Sequence, residues 1–204
     1  MSASSKPRIA RDSGKKRLYT AATYRKALPE LIDDFDHRCA YSLQHVAKMG
    51  MRIMEVDHHN PKLQGRMKHH YRNLFPAHRI CNGQKSDTWP TRTQRRKRLR
   101  FLNARKEADY GVQIFEDPES NRLVGTTPAA KYHIRNCGLN DPYFVRERRT
   151  RATIRRRLDE CHLIMKQSAE LEHCLSVVKQ FSCLLDEMIP NIPEPPLGGS
   201  KRQP

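Results

Sequence analysis

Two stretches separated by nine residues decide the fold: Glu55-Val-Asp-His-His-Asn-Pro61 and Tyr71-Arg-Asn-Leu-Phe-Pro-Ala-His-Arg-Ile-Cys-Asn-Gly-Gln-Lys-Ser-Asp87. A short apolar run predicts a strand over residues 51–56 that delivers an aspartate and a histidine at its end. The second stretch predicts a returning strand over residues 73–77 and a short helix over residues 79–87. This order of elements predicts that the polar residues of the two stretches meet at one place.

These residues resemble the motif of the HNH, or ββα-metal, endonucleases. In that motif an Asp-His pair lies on the first strand, an Asn on the second strand, and a His or Asn on the helix. The matching positions here are Asp57, His58, Asn73 and Asn82. The resemblance covers about residues 37–90, and it implies an α+β fold with a small ββα-metal core embedded in a mostly α-helical chain.

The resemblance also implies a role for each residue. Asp57 and Asn82 would bind Mg²⁺ or Mn²⁺, His58 would be the general base, and Asn73 would hold the catalytic loop. The chemistry agrees, because a neutral imidazole with a pKa near about 6.5 can take a proton from water, and hard oxygen ligands suit Mg²⁺. His59 is an alternative base, although its side chain is expected on the opposite face of the strand from His58.

A purely structural interpretation of the same residues is also open. The Asp-His-His run could be a solvated turn, and the two asparagines could be caps. The register of Asn73, Asn82 and Lys85 with the motif favours the catalytic interpretation.

A structural zinc site is expected to be incomplete in this chain. Many HNH proteins bind zinc through two Cys-x-x-Cys pairs, and the corresponding strings here are Cys39-Ala-Tyr-Ser42 and His78-Arg-Ile-Cys81. Cys39, His78 and Cys81 would supply three ligands, but serine is a poor fourth because structural zinc takes four nitrogen or sulfur ligands. His37 or His45 could complete the set. We expect instead that these residues are small core fillers.

The charge of the chain predicts a polyanionic partner. Lys and Arg number 39 against 22 Asp and Glu, which gives a net charge of +17. Two basic runs, residues 92–106 and 146–157, are expected to contact nucleic-acid phosphates rather than to serve only as solvated faces. The residues expected to make these contacts are Lys85, Arg92, Arg95, Arg96, Lys97, Arg98, Arg100, Arg148, Arg149, Arg151, Arg155 and Arg156. Such contacts carry no sequence information.

Several classes of protein are disfavoured by the composition. Apolar runs fall far short of the roughly 20 residues that span a bilayer, so no membrane role is expected. The first residues lack the apolar core of a secretory signal. The six cysteines are scattered, and we expect them to be reduced in a cytoplasmic protein.

The chain divides by composition into six predicted segments. They are a flexible basic arm (1–17), a helical segment that Pro29 interrupts or restarts (18–36), the nuclease core (37–90), a basic helix with a hairpin and a short helix (91–142), a long helix for nucleic-acid or partner binding (143–189), and a disordered Pro-rich tail (190–204). The hairpin is predicted over residues 110–124, and the short helix is predicted to begin at Thr127-Pro128.

The C-terminal part predicts a partner. Residues 110–149 are similar to the region that follows the nuclease motif in HNH proteins of bacterial anti-phage systems of the Septu and retron-associated type, which implies an ATPase partner. Apolar residues over 164–185 follow 4-3 spacing, which predicts that the 160–188 helix docks on another chain, either this partner or a second copy. The alternatives are that the helix folds back on residues 18–35, or that it breaks near residue 167.

The sequence therefore predicts a metal-dependent endonuclease acting on DNA, with a role in bacterial anti-phage defence. Two alternatives remain: a non-cleaving nucleic-acid-binding module on the same scaffold, and an HNH-type RNase. Neither the motif nor the basic runs distinguish DNA from RNA.

Overall fold

The computed structural model describes residues 17–166, 175–176 and 178–183. In this part of the chain the helices are α1 (Leu28–Asp34), α2 (Val46–Met49), α3 (Gly65–Lys68), α4 (Arg79–Lys85), α5 (Arg92–Arg96), α6 (Pro128–Asn136) and α7 (Pro142–Lys166). The strands are β1 (Met54–His58), β2 (Leu74–His78), β3 (Ile114–Glu116) and β4 (Leu123–Gly125). They form two antiparallel pairs, β1 with β2 and β3 with β4, so the predicted α+β class is confirmed.

The first hairpin and the helix that follows it have the predicted order. The β1–β2 register runs from Met54 opposite His78 to His58 opposite Leu74, and α4 begins at the residue after β2. β1 begins later than expected because residues 51–53 form a 3-10 turn after Gly50, whose φ of 80° redirects the chain.

Both faces of this hairpin are covered. Phe75 and Ala77 of β2 belong to the main apolar core, which also includes residues of the second hairpin and α6. On the opposite face, Val56 and Leu74 pack with Leu31 of α1 in a second, smaller cluster. All five residues of β2 are buried, so this strand lies between the two clusters.

The N-terminal segment is less helical than predicted. A 3-10 turn covers Tyr24–Ala27, and α1 then begins at Leu28, with Pro29 in its first turn. Residues 17–19 do not join a helix, because their backbone bonds to residues 69–71 instead, as in the bond from the Tyr19 N–H to the His69 carbonyl.

The predicted basic helix is also short. α5 ends at Arg96, and Arg98 has a φ of 61°, which a helix does not tolerate. Phe101 and Leu102 then enter the core, and the Leu102 N–H donates to the His133 Nδ1 at 3.1 Å. Burial of these two side chains takes the place of further helix.

The second hairpin and the helices after it follow the prediction closely. Thr127 caps α6 by accepting the Ala130 N–H, and Gly138 follows the helix with a φ of 61°. α7 starts at Pro142 and runs as helix to Lys166.

Other predictions fall wholly or mostly outside the described residues. The basic arm except residue 17, the tail, and residues 167–174, 177 and 184–189 of the predicted long helix are not described, so its docking on a partner stays a prediction. Within the described residues, none of the helices has the length and apolar character needed to cross a membrane.

Two glycines provide a matched test of this packing. A Cβ at Gly125 would lie 2.6 Å from the Lys131 backbone nitrogen and 2.9 Å from the Ala130 Cβ, whereas a Cβ at Gly83 would meet nothing within 4 Å. We expect Gly125→Ala to lower the free energy of unfolding by about 1–3 kcal/mol. Gly83→Ala, within α4, should raise it by roughly 0.5–1 kcal/mol. Urea unfolding followed by circular dichroism measures both, and changes of the same sign would contradict the described contact between β4 and α6.

Candidate functional site

The loop between β1 and β2 is fixed by one asparagine. Asn73 accepts the Asn60 N–H at 2.9 Å, and its amide donates to the Asn60 carbonyl at 3.1 Å and to the Lys68 carbonyl at 2.9 Å. These are the contacts expected of a residue that ties this loop in place.

Asp57 lies in a buried polar network rather than at the surface. The Lys85 ammonium is 3.0 Å from Oδ1 and 2.9 Å from Oδ2 of Asp57, and the Tyr41 hydroxyl donates to the same carboxylate. Burial raises the pKa of Asp57, and Lys85 and Tyr41 oppose that rise. The carboxylate therefore already has a cation beside it.

His58 lies on the other face of β1. Its ring is 4.7 Å from that of Tyr24, and its Nε2 is 3.0 Å from the Nδ1 of His69. Burial, followed by the charges of His69, Lys68 and Lys85, lowers the pKa of His58 to about 4. The half-buried imidazole is therefore neutral at physiological pH, but burial also makes it a weaker base than a free imidazole.

His59 points away from His58, as predicted from strand alternation. Its ring stacks on Phe75 at 4.6 Å and meets the edge of Trp89 at 5.6 Å. Burial lowers the pKa of His59 to about 3, and its Nδ1 has no hydrogen-bond partner among the described residues. Because this ring is enclosed by the core, it is poorly placed to act as a base.

Asn82 faces a carboxylate that the sequence analysis did not single out. Its amide donates to Oε2 of Glu55 at 2.7 Å, while Arg79 donates to Oε1 at 3.1 Å. Glu55 is two residues before Asp57 and so shares its face of β1. That spacing was the available signal for Glu55.

The expectation that the side chains of Asp57, His58 and Asn82 meet at one place is wrong for His58. Strand alternation persists to the end of β1, where His58 still pairs with Leu74. The link between His58 and the α4 face is its backbone, because its carbonyl accepts from Lys85 at 2.8 Å.

The oxygen donors on the α4 face fit a hydrated Mg²⁺ in part. This ion takes one or two carboxylates and retains several waters, and Glu55 and Asn82 offer a partly exposed carboxylate and amide. Asp57 would become a ligand only if the metal ion replaced the Lys85 ammonium beside its carboxylate. Within the ranges that the structure describes, no group of three or more His, Cys, Asp or Glu side chains could hold a metal ion.

The cysteines expected near a zinc site do meet, but the predicted histidine ligand does not join them. Cys39 accepts the His78 backbone N–H at 3.2 Å. Burial raises the pKa of Cys39, but hydrogen bonds from Cys81, His78 and Ser42 outweigh it and hold the pKa at about 6. The His78 ring stacks on Tyr143, and its Nδ1 caps α4 by accepting from Ile80.

Three cations predicted to contact nucleic acid are structural, and the expectation is wrong for these three, whereas it stays a prediction for Arg100 and Arg155. Lys85, Arg148 and Arg151 are buried. Arg148 donates to the Asn121 carbonyl at 2.7 Å, and Arg151 pairs with Glu116. Arg100 is exposed but pairs with Glu107, with one hydrogen bond of 2.8 Å. Arg155 is half-buried.

The remaining predicted cations are exposed: Arg92, Arg95, Arg96, Lys97, Arg98, Arg149 and Arg156. Five of them lie within residues 92–98, between two aromatic residues that hold this segment at both ends. Trp89 stacks on Phe101 at 5.8 Å, and both rings contact His59. These contacts anchor the two ends of the basic segment on His59, whose ring points away from that of His58.

No protein-family model matches the chain, and no curated protein or solved structure shows a significant similarity to it.

The buried Asp57–Lys85 pair can be tested against an exposed pair. Lys85→Met leaves Asp57 buried without its cation, and we expect the free energy of unfolding to fall by about 3–5 kcal/mol. Adding Asp57→Asn should restore part of this loss, because neither charge of this buried pair then remains. Lys62→Met, which breaks the exposed pair with Asp87 at 2.8 Å, should have no measurable effect. Equal losses in urea unfolding for Lys62→Met and Lys85→Met would contradict the buried network.

Buried histidines predict the pH dependence of stability. Burial lowers the pKa of His133 to about 3, below the unfolded value near about 6.5. The unfolded chain therefore binds a proton first as the pH falls, so this contribution to stability is lost below about pH 6.5. Replacing His133 by Gln should reduce the slope of unfolding free energy against pH, between about pH 6 and 4, by up to about 1.4 kcal/mol per unit.

A buried carboxyl group provides the control, because its contribution to stability changes with pH in the opposite direction to that of His133. Burial raises the pKa of Asp109 to about 6, so its contribution to stability is lost as the pH rises through this value. Asp109→Asn should therefore stabilise the protein more at pH 7.5 than at pH 4. If the free energy of unfolding depends on pH equally in the His133→Gln variant and the wild type, then His133 is not held in its neutral form by the fold.

Proposed function

We propose that this chain is a metal-dependent endonuclease that hydrolyses phosphodiester bonds, with DNA as the expected substrate. The observation that carries the proposal is His58, a partly exposed and neutral imidazole at the end of β1, in a β1–β2–α4 unit whose loop is tied by Asn73. The exposed cations of residues 92–98 belong to a segment anchored on His59 and would attract the phosphate backbone.

Each residue of the site would have a separate role in the hydrolysis. His58 would accept the proton of the attacking water, which requires its ring to turn from His69 toward the face of β1 on which Asn82 contacts Glu55. Lys85 holds the His58 carbonyl and Asp57 at once, which fixes the end of β1 against α4. Asn73 keeps the loop after His58 in place.

A divalent cation would be held by Asn82 with Glu55, and by Asp57 if Lys85 gives up that contact. When bound, Mg²⁺ or Mn²⁺ would stabilise the charge that develops on the leaving oxygen. Arg79 forms an ion pair with Glu55. A metal ion bound to Glu55 would displace this guanidinium, or the guanidinium would itself neutralise the phosphate.

A second candidate function is a nucleic-acid-binding module that does not cleave. It is favoured by two observations: Lys85 already neutralises Asp57, and the His58 ring lies on the opposite face of β1 from Asn82. Both functions predict phosphate binding, so cleavage separates them. The anti-phage setting with an ATPase partner is part of our proposal and rests on the resemblance of residues 110–149.

The test is incubation of the full-length protein with plasmid, single-stranded DNA and RNA, each with Mg²⁺, Mn²⁺ or EDTA. We expect metal-dependent cleavage of DNA. His58→Ala should reduce the rate by about 10²–10⁴-fold, the usual cost of losing a general base. Binding in EDTA should change little, because His58 contributes no phosphate contact in this scheme.

His59→Leu is the matched control for His58→Ala, since it removes the adjacent imidazole from the opposite face. It should retain cleavage. Cleavage by His58→Ala at the wild-type rate would reject His58 as the base. A wild-type protein that binds DNA but cleaves no substrate with either metal would support the non-cleaving module, and cleavage of RNA alone would support the RNase alternative.

A further inference from the structure

A second basic feature has its cations outside the residues that resemble the nuclease motif. A cleft of about 470 Å³ opens between α4, β4 and α6. Its lining includes Gln84 of α4, Arg122 before β4, Lys131 and Arg135 of α6, and Asn140 and Asp141 from the turn before α7.

The cleft carries excess positive charge that the described residues do not neutralise. The side chains of Arg122, Lys131 and Arg135 are exposed, and within the described part of the chain none makes an ion pair or hydrogen bond. Among the described residues, Asp141 is the one carboxylate in the lining, and it already accepts the Tyr143 N–H at 2.9 Å. Three cations and one acid give this lining an excess of positive charge.

The walls that carry these cations are held in place by buried hydrogen bonds. Asn140 accepts the Leu123 N–H at 2.7 Å and donates to the Leu123 carbonyl at 2.9 Å. Arg148 donates to the Leu139 carbonyl and to Oδ1 of Asn140, both at 3.1 Å, and it also holds the Asn121 carbonyl. The cleft is therefore preorganised, which reduces the ordering cost of binding.

The cleft is joined to the candidate site through α4. Gln84 packs so closely on Gly138 that a Cβ there would lie 2.6 Å from the Gln84 Cγ. Gln84 is two residues after Asn82 and so lies on nearly the opposite side of α4, a helix about 10–12 Å across with its side chains. Phosphates follow each strand of a duplex at about 3.4 Å per step along the axis, so a backbone at Asn82 would reach the cleft within a few nucleotides.

We propose that this cleft binds backbone phosphates of the nucleic acid beside the bond that the candidate site would cleave. The inference rests on the proposed function for its position relative to the scissile bond, but binding itself does not depend on cleavage. Among the described residues, the lining holds no aromatic side chain that could stack on a base, and its three exposed cations suit phosphate oxygens, so we expect contact mainly to the backbone.

The experiment measures binding of full-length protein to fluorescently labelled duplex DNA and duplex RNA by anisotropy, in EDTA and over a range of salt concentrations. The test variant is Arg122→Gln/Lys131→Gln/Arg135→Gln. The control is Lys26→Gln/Arg52→Gln/Arg66→Gln, which removes the same charge from exposed positions outside the cleft. Circular dichroism and urea unfolding check that both variants fold.

Loss of three phosphate contacts should lower the slope of log affinity against log salt by about 2–3 for DNA. The corresponding affinity loss near physiological salt is roughly 10²-fold, whereas the control variant should lose only a few-fold. If the triple variant does not fold, the three single substitutions replace it in the test. Each should lower the slope of log affinity against log salt by about 0.9.

Equal losses in the cleft variant and the control would overturn the proposal, because net charge alone would explain them. Unchanged binding of the cleft variant to both nucleic acids would also overturn it. A wild-type protein that does not cleave, while the cleft variant loses binding, would reject the nuclease function and leave the phosphate-binding cleft in place.

Discussion

The position of α4 depends on one buried ammonium group. Lys85 is 0% exposed, and it bridges the Asp57 carboxylate and the His58 carbonyl at the end of β1. A charge removed from water costs several kcal/mol unless it is paired and hydrogen-bonded, so few arrangements of α4 against β1 are compatible with this side chain. The network extends further, because Tyr41 bonds to Asp57 and the Tyr110 hydroxyl donates to the Tyr41 carbonyl at 2.6 Å. The first hairpin and the segment before the second hairpin are thereby joined through polar contacts inside an apolar core.

The same contact bears directly on the chemistry. By holding the His58 carbonyl, Lys85 fixes the end of β1, but by pairing with Asp57 it takes the place that a metal ion would have beside that carboxylate. Glu55 then becomes the carboxylate accessible beside Asn82. An endonuclease built on this arrangement would rely on Glu55 and Asn82 unless Lys85 moves, whereas a binding module would need no such movement.

The local sequence pattern was sufficient to predict much of the fold. The order β1, β2, α4 follows from short apolar runs, and the start of α6 follows from Thr127 and Pro128, because a cap and a fixed φ act within a few residues. Alternation along β1 also separated His58 from His59. It did not reveal which face of the strand would be covered by α4, since that depends on contacts distant in sequence. Tyr24 covers the ring of His58, and Phe101 approaches that of His59. The roles of Lys85 and Glu55 were missed for the same reason.

Basic residues in runs of the same composition fall into two groups: some are buried and hold the fold together, and others are exposed. Arg105 is 4% exposed, pairs with Asp34 and lies 4.9 Å from the ring centre of Tyr71, so it supports the N-terminal segment rather than facing solvent. Arg148 similarly supports the walls of the cleft. The sequence cannot distinguish these from exposed arginines, because both occur in runs of the same composition. Only the exposed cations remain for a polyanion. One group directly follows α4 in the chain and another surrounds Gln84 on α4, so both are positioned by the helix that Lys85 fixes to β1. A nucleic acid attracted by either group would be brought to the α4 side of β1, opposite the face on which the His58 ring contacts Tyr24 and His69.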